Sequence, residues 1–226
     1  MTFDPSKLLR KATSRAKSDV ANKLVSMMLH ELSRRVTKTV GLTVNGEVYS
    51  KLATGFFGTR CPYCNKELVA KHVAVEHLDG MNRRRAGLHI PGNVVISCSD
   101  CNREKRADDQ RAILTLAQSG WESFLSHDSE RCVRPCRVCE YWEAIFPDLA
   151  TRKKHLSQAA ERILEFRNIP QIATAIKASL VTQEAARKML EDLYREGQKY
   201  AHSRINSFAD SLSPQFEGRI GGMIES

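Results

Sequence analysis

Apolar residues recur at every third or fourth position from residue 6 to residue 36, with lysines and arginines between them. This spacing aligns the apolar side chains along one side of a helix, so it predicts an amphipathic helix or helix pair that packs on the rest of the protein. Asp19 and Glu31 interrupt the basic side, which disfavours a helix lying on a membrane surface. The apolar stripe consists of Leu9, Ala12, Ala16, Val20, Leu24, Met28, Leu32 and Val36.

The pattern changes to alternation after residue 39. Apolar residues at positions 40–44 alternate with others, and the following Asn45-Gly46 is a dipeptide typical of hairpin turns. We interpret residues 40–49 as a β-hairpin that serves as scaffold rather than as a ribbon that reads DNA. Together with the first helix, this hairpin forms an N-terminal segment, residues 1–56.

Helical spacing returns in the C-terminal region, residues 149–226. A break at the Asn-Ile-Pro sequence 168–170 separates two predicted helices, and Thr182 is a suitable N-cap for a third. Proline and glycine after residue 212 predict a loose tail. With the strands predicted below, the chain is expected to have an α+β fold that is mainly helical.

All seven cysteines lie between residues 61 and 139 in closely spaced groups. An odd number, CxxC spacing and an N-terminus without the apolar core of a secretion signal favour thiolate-bound metal in a reducing compartment over a disulfide framework. The sequence also has no apolar run long enough to cross a bilayer. We therefore expect a cytoplasmic protein that does not enter a membrane.

Two CxxC pairs, Cys61 with Cys64 and Cys98 with Cys101, flank one long spacer. A CxxC turn brings two sulfurs within reach of one zinc ion, whose bonds to sulfur measure about 2.3 Å, and two such turns close its tetrahedral shell. A closed shell is structural, so Zn²⁺ should join the start of the segment to its end. Redox-active CxxC pairs are the competing interpretation, which two pairs flanking one loop disfavour.

A second cysteine-rich segment, residues 121–148, favours another structural zinc site. Three clustered cysteines and one histidine offer a complete ligand set, and His155, beyond an aromatic stretch, is the alternative to that histidine. We therefore expect one or two Zn²⁺ ions per chain. The preferred ligands of the second ion are His127, Cys132, Cys136 and Cys139.

The residues between the two CxxC pairs predict two strands joined by a long loop. The apolar run VAVEHL contains Glu76-His77 near its end, the loop DGMNRRRAGLHIPGN is rich in glycine and arginine, and Asn93-Val-Val-Ile begins a second strand. Helical spacing follows Cys101. The segment 57–120 is therefore expected to be a hairpin-plus-helix unit fixed by zinc.

The combination of Cys-x2-Cys, Glu-His, Gly-Asn-Val-Val and Cys-x2-Cys-Asn-x2-Lys across residues 60–111 resembles the HNH, or ββα-metal, nuclease family. The resemblance implies that His77 is the general base that activates water for attack on phosphorus. It also implies that Glu76 and Asn102 bind one catalytic Mg²⁺ or Mn²⁺. Asn93 matches the asparagine that braces the loop and orients His77. The family more often has Asp before the histidine, and often His in place of Asn102.

The formal charge of +9 predicts attraction to polyanions. Beside a phosphodiesterase site, basic side chains in the loop and the following helix favour contacts with phosphates or base edges. His72 has no counterpart in the motif and His89 lies in the loop; we expect structural roles for both. The predicted DNA-binding residues are Arg83, Arg84, Arg85, Arg103 and Lys105.

Size, zinc content and helical flanks resemble a small Type II restriction endonuclease, which implies a homodimer that cuts both strands of specific sites in double-stranded DNA. A phage or mobile-element HNH nuclease, for nicking or homing, carries the same motif and stays open as an alternative. A third interpretation is a zinc-pinned DNA-binding module without catalysis, which the intact Glu76, His77 and Asn102 disfavour.

Overall fold

The computed structural model of the protein describes the backbone of residues 5–103 and 136–224, and the side chains of 18–103, 136 and 139–211. The described part is mainly helical with one two-stranded sheet, and to this extent the predicted fold class is confirmed. None of its helices is both long enough and apolar enough to cross a bilayer. The elements are α1 (Pro5–Val40), α2 (Glu47–Phe57), a 3₁₀ turn (Ala70–His72), β1 (Val73–His77), β2 (Val94–Cys98), α3 (Arg137–Ile145), α4 (Leu149–Arg167) and α5 (Pro170–Ile224).

The two long helices α1 and α5 pack side by side in opposite directions. At one end the Gln198 amide donates to Ser18 Oγ at 3.4 Å, and at the other Val40 and Gln171 line the same cavity. Gly197 lets the helices approach closely, because a Cβ there would lie 2.8 Å from Leu24 Cδ1. The predicted N-terminal helix is thereby confirmed, but its buried side chains include Ala21, Val25 and Leu29, whereas Val20 of the predicted stripe is 43% exposed.

The loop that joins β1 to β2 packs its apolar side chains against this helix pair. Leu88 and Ile90 are fully buried and belong to one cluster with residues of both helices. Burial of one such aliphatic side chain contributes about 1.5–3 kcal/mol. The loop is therefore held in place by α1 and α5 rather than by the two strands. The helix residues of this cluster are Val25, Leu29, Val36, Ala186 and Leu190.

A second core cluster surrounds the cysteines. It joins the hairpin to α2, α3 and α4, and its largest fully buried side chains include Tyr63, Trp142 and Phe166. Tyr49 of α2 belongs to this cluster as well: its hydroxyl donates to the carbonyl oxygen of Val94 and accepts from Gly92 N–H. Helix α2 is thus attached directly to the start of β2.

The predicted hairpin at residues 40–49 is wrong. Gly41 ends α1 with a φ of +73°, and Gly46 is the N-cap of α2 with a φ of −80°, so the Asn-Gly dipeptide starts a helix rather than a hairpin turn. Three alternating apolar residues were too short a pattern to define a strand. The residues that follow carry apolar side chains at helical spacing, and burying Tyr49 favours the helix.

The predicted break before Pro170 is confirmed, since α4 ends at Arg167 and α5 begins at Pro170. The predicted N-cap role of Thr182 is wrong, because Thr182 lies inside α5 and its hydroxyl donates to the carbonyl oxygen of Ala178. The predicted loose tail is also wrong, because α5 continues to Ile224. Propagation of a nucleated helix is favourable, and the helix continues past Pro214 although proline has no backbone N–H to donate.

We predict that Gly92→Ala lowers the free energy of unfolding by at least about 2 kcal/mol, because a side chain there is strained and overpacked. Gly92 has a φ of +83°, and its Cβ would lie 2.4 Å from Ile172 Cγ2. The matched control is Gly55→Ala in α2, where no atom lies within 4 Å; alanine should stabilise this helix by about 0.5–1 kcal/mol. Urea denaturation measures both, and equal stability of the two variants would contradict the close approach.

Candidate functional site

The four cysteines of the two CxxC pairs form one buried cluster. Their sulfur atoms all lie within 4.8 Å of one another, and the Sγ atoms of Cys64 and Cys98 are 3.7 Å apart. This separation fits two ligands of a tetrahedral zinc ion with bonds of about 2.3 Å. Among the described residues no other group of three or more histidine, cysteine or acidic side chains is so close. The predicted quartet is confirmed as a cluster that can hold a metal ion such as zinc.

Local backbone geometry presents these sulfurs. The segment after Cys61 turns back sharply: Asn65 N–H donates to the carbonyl oxygen of Cys61, and Cys61 N–H donates to that of Lys66. Asn65 takes the left-handed conformation this turn requires, with a φ of 59°; asparagine tolerates this better than most residues. On the other side, Cys98 ends β2 and accepts a hydrogen bond at Sγ from the N–H of Cys101, 3.5 Å away.

Close contacts among the four thiols change their pKa values in opposite directions. Hydrogen bonds from Cys101 and Cys64 lower the pKa of Cys61 to about 7, and hydrogen bonds from Cys101 and Cys61 lower the pKa of Cys98. The same contacts raise the pKa of Cys101. The cluster therefore shares its protons unevenly, and thiols that ionise near neutral pH are suited to binding a cation.

Tyr141 of α3 contacts the cluster from a distant part of the chain. Its hydroxyl oxygen lies 3.0 Å from Cys101 Sγ. Burial and the negative charge of Cys101 raise the pKa of Tyr141, so the hydroxyl keeps its proton and can donate to Cys101 Sγ when that sulfur is a metal-bound thiolate. Donors of this kind hold metal-binding side chains in position. Nothing in the spacing of the sequence indicated this contact.

The second zinc site stays a prediction. Cys136 and Cys139, at the start of α3, are both buried, whereas His127 and Cys132 lie outside the described residues. The alternative ligand His155 packs elsewhere: its Nε2 lies 3.0 Å from the carbonyl oxygen of Tyr63.

Glu76 and His77 occupy neighbouring positions at the end of β1 but point to different sides. They pair with Val95 and Val94 in the antiparallel register, and successive side chains of a strand alternate between faces. Glu76 is only 1% exposed. Its carboxylate lies near the Tyr63 hydroxyl, whose pKa is raised by burial and then by the charge of Glu76. Glu76 therefore faces the interior, whereas His77 is half-buried on the other side.

His77 contacts a second histidine that the sequence had given a structural role. His77 Nε2 and His89 Nδ1 are 3.0 Å apart. The backbone N–H of His89 donates to Ser33 Oγ of α1 at 2.8 Å, and the His89 ring centroid lies 5.7 Å from that of His30, also in α1. The structure thus brings the first helix to the candidate site. The apolar stripe read from the sequence passes through Met28 and Leu32, one position before Leu29 and Ser33, so it gave no signal for this contact.

Asn93 braces the loop between the strands. Its side-chain oxygen accepts from Asp79 N–H at 2.6 Å, and its amide group donates to the carbonyl oxygens of Asp79 and Leu88. Asn93 is completely buried, so these bonds form without competition from water. The resemblance implied loop-bracing contacts of this kind. Asn102 is half-buried just after Cys101, in a helix that begins at residue 99.

The three loop arginines have different surroundings. Arg83 pairs with Glu191 at 2.9 Å and lies over the ring of Tyr194, both in α5. Arg85 is 3% exposed, whereas Arg84 is exposed. Arg83 and Arg85 therefore serve the packing of the loop. DNA contact stays a prediction for all five basic residues; Arg84 and Arg103, which pairs with Asp100, are exposed, and Lys105 lies outside the described residues.

No family model, curated protein or solved structure matches the chain. Function must therefore be inferred from the side chains and their geometry. The strongest observations are the four-cysteine cluster and the paired histidines at the end of β1.

We predict that Cys61→Ser, Cys98→Ser lowers the zinc content by one ion per chain and lowers the melting temperature, since the binding free energy of a structural ion is also folding free energy. Elemental analysis and thermal denaturation measure the two effects. The matched variant Cys136→Ser, Cys139→Ser should leave the first ion bound. Unchanged zinc content and melting in the first variant would contradict a structural ion in the quartet.

We also expect Tyr141→Phe to lower zinc affinity roughly tenfold, the usual scale for losing a hydrogen bond to a metal ligand. Competition with a chromogenic chelator measures this affinity. Tyr200→Phe is the control, because Tyr200 is 64% exposed in α5. If the Tyr141 variant retains zinc as strongly as the control does, the hydroxyl has no role at the metal.

Proposed function

We propose that this protein is a metal-dependent nuclease that hydrolyses phosphodiester bonds in double-stranded DNA. One observation carries the proposal. The four-cysteine cluster joins the start of a hairpin to its end, and His77 ends its first strand beside a loop that Asn93 braces. Asn102 follows Cys101 directly. This order and spacing are those of the HNH resemblance.

In the proposed reaction His77 accepts a proton from a water molecule. The water oxygen bonds to phosphorus, and the bond from phosphorus to the 3′ oxygen breaks. Imidazole titrates near neutral pH, so it can act as this base without a large change of pKa. The braced loop and β1 hold the histidine in place before the substrate arrives, which lowers the entropic part of the barrier.

The proposed catalytic cation is Mg²⁺ or Mn²⁺. The donor chemistry fits: the carboxylate of Glu76 and the amide oxygen of Asn102 are hard ligands. When bound, the ion would stabilise negative charge on the transition state and on the leaving oxygen. In this proposed ligand pair Glu76 is 1% exposed and Asn102 is half-buried.

DNA is the proposed substrate because the chain carries a formal charge of +9 and its arginines include the exposed Arg84 and Arg103. Such side chains release counterions when they neutralise phosphates. A Type II restriction enzyme, acting as a homodimer with one site per subunit, is the favoured biological role. A phage or mobile-element nuclease that nicks or homes would use the same residues.

A second candidate function is favoured by the burial of Glu76. A carboxylate that packs beside the hydroxyl of Tyr63 can be a structural residue, and the zinc-pinned hairpin would then bind DNA without cutting it. The two candidates differ in one measurable property, which is the cleavage of DNA.

We expect the protein to cut supercoiled plasmid in Mg²⁺, and His77→Ala to slow cutting by roughly 100-fold or more, the usual contribution of a general base. His72→Ala is the matched control, because His72 is exposed in the 3₁₀ turn before β1. Discrete linear fragments on gels indicate restriction, and open circles indicate nicking. Plasmid that is retarded on gels but never cut would favour the binding module, whereas equal cutting by the wild type and His77→Ala would exclude His77 as the base.

A further inference from the structure

His89 is held at three points around its own position. Its neighbours Leu88 and Ile90 are fully buried against α1 and α5. Its backbone N–H donates to Ser33 Oγ, and the Ser33 hydroxyl in turn donates to the carbonyl oxygen of Leu29 at 2.5 Å. Ser33 is 3% exposed, so this anchor is shielded from water. The backbone that carries the His89 ring is therefore fixed relative to α1.

The ring of His89 is fixed as well. It contacts the His77 ring, with centroids 5.2 Å apart, and the His30 ring, with centroids 5.7 Å apart. Both rings are inclined to it, so contacts between imidazoles link α1 to the end of β1. Only the first of its contacts, from His89 Nδ1 to His77 Nε2, is a hydrogen bond at 3.0 Å.

We infer that His89 is a positioning residue for His77: it fixes the orientation and the tautomer of the His77 ring, and Ser33 of α1 holds His89 in place for this task. As a statement about catalysis, this inference depends on the proposed function. As a statement about the His77 ring, it can be tested without any cleavage assay.

The direction of the hydrogen bond follows from the chemistry of the base. Two neutral imidazoles can share a hydrogen bond only when one nitrogen donates and the other accepts. If His77 accepted at Nε2, the lone pair of Nε2 would be occupied by the hydrogen bond from His89. The Nδ1 of a neutral His77 would then already carry a proton, so neither nitrogen could accept one from water. His77 can serve as a base only when its Nε2–H donates to His89 Nδ1.

The proton balance is then complete. The O–H bond of water breaks as its oxygen bonds to phosphorus, and His77 Nδ1 takes the proton. The bond to the 3′ oxygen breaks, and that oxygen receives a proton from solvent. The imidazolium of His77 still donates from Nε2 to His89, now through a charge-assisted bond, which is roughly twice as strong as a neutral one. His89 therefore stabilises the protonated base.

The surroundings of His89 agree with a role as acceptor. Burial, and then the proximity of His30, lower the pKa of His89. His89 therefore stays neutral near physiological pH, and a neutral imidazole retains one nitrogen that can accept.

The test compares His89→Asn with His89→Leu. The side-chain oxygen of asparagine can occupy the place of Nδ1 and accept from His77, whereas leucine fills similar space without an acceptor. Nitrogen-15 NMR of the imidazole rings at pH 8, on the zinc-loaded protein, reports the tautomer of His77. We expect His77 to carry its proton on Nε2 in the wild type and in His89→Asn, and a mixture of tautomers in His89→Leu. His72→Asn, at an exposed site, controls for the substitution itself.

Cleavage kinetics provide the second readout. His89→Leu should lower kcat by about tenfold or more with little change in KM, because a misoriented base affects the chemical step rather than binding. His89→Asn should recover most of this loss. A structural role for His89 would instead lower the activity of both variants together and leave the tautomer of His77 unchanged.

The outcomes separate the two proposals. Wild-type protein that never cleaves DNA removes the proposed function, and the NMR comparison still decides whether His89 controls the ring of His77. The inference is overturned if wild-type His77 carries its proton on Nδ1, or if His89→Leu leaves the His77 signals unchanged. The wild-type measurement needs no variant, so a variant that fails to fold does not prevent a decision.

Discussion

The convergence of four sulfur atoms is the contact on which the rest of the structure depends. Cys64 and Cys98 are 34 positions apart in the chain yet 3.7 Å apart in space. Between them lies a hairpin of two five-residue strands, and a two-stranded hairpin is marginally stable in water. Closing the intervening chain also costs conformational entropy. A cation bound by all four sulfurs would offset that cost at the point where the two ends of the hairpin meet.

The opposite end of the hairpin is fixed by a different kind of contact. Loop residues such as Leu88 and Ile90 are buried against α1 and α5, and Arg83 adds an ion pair to Glu191. His77 therefore lies between the cysteine cluster at one end of the hairpin and the apolar contacts of the loop with α1 and α5 at the other. Its position is set by elements distant in sequence, which explains how a short strand can hold a side chain in a defined orientation.

Features with a short-range cause could be read from the sequence. The spacing of Cys61, Cys64, Cys98 and Cys101 predicted the cluster, and β-branched residues predicted both strands. Features set by tertiary packing could not. The Asn45-Gly46 dipeptide suits a turn or a helix start, and only the burial of Tyr49 decides between them. The three loop arginines are consecutive residues outside any helix or strand pattern, so the sequence could not predict which of them would be buried. The contact from Ser33 to His89 joins residues 56 positions apart.

The contact between the Tyr141 hydroxyl and Cys101 Sγ implies that the hairpin depends on the rest of the chain for its structure. The sequence suggested a self-contained unit at residues 57–120, yet one side of its sulfur cluster is covered by α3 and the other end of its hairpin by α1 and α5. A fragment cut at those boundaries would expose thiolates to oxidants and its loop to solvent. A gene fusion that moved only residues 57–120 into another protein would therefore transfer the motif without the helices that hold its side chains in place.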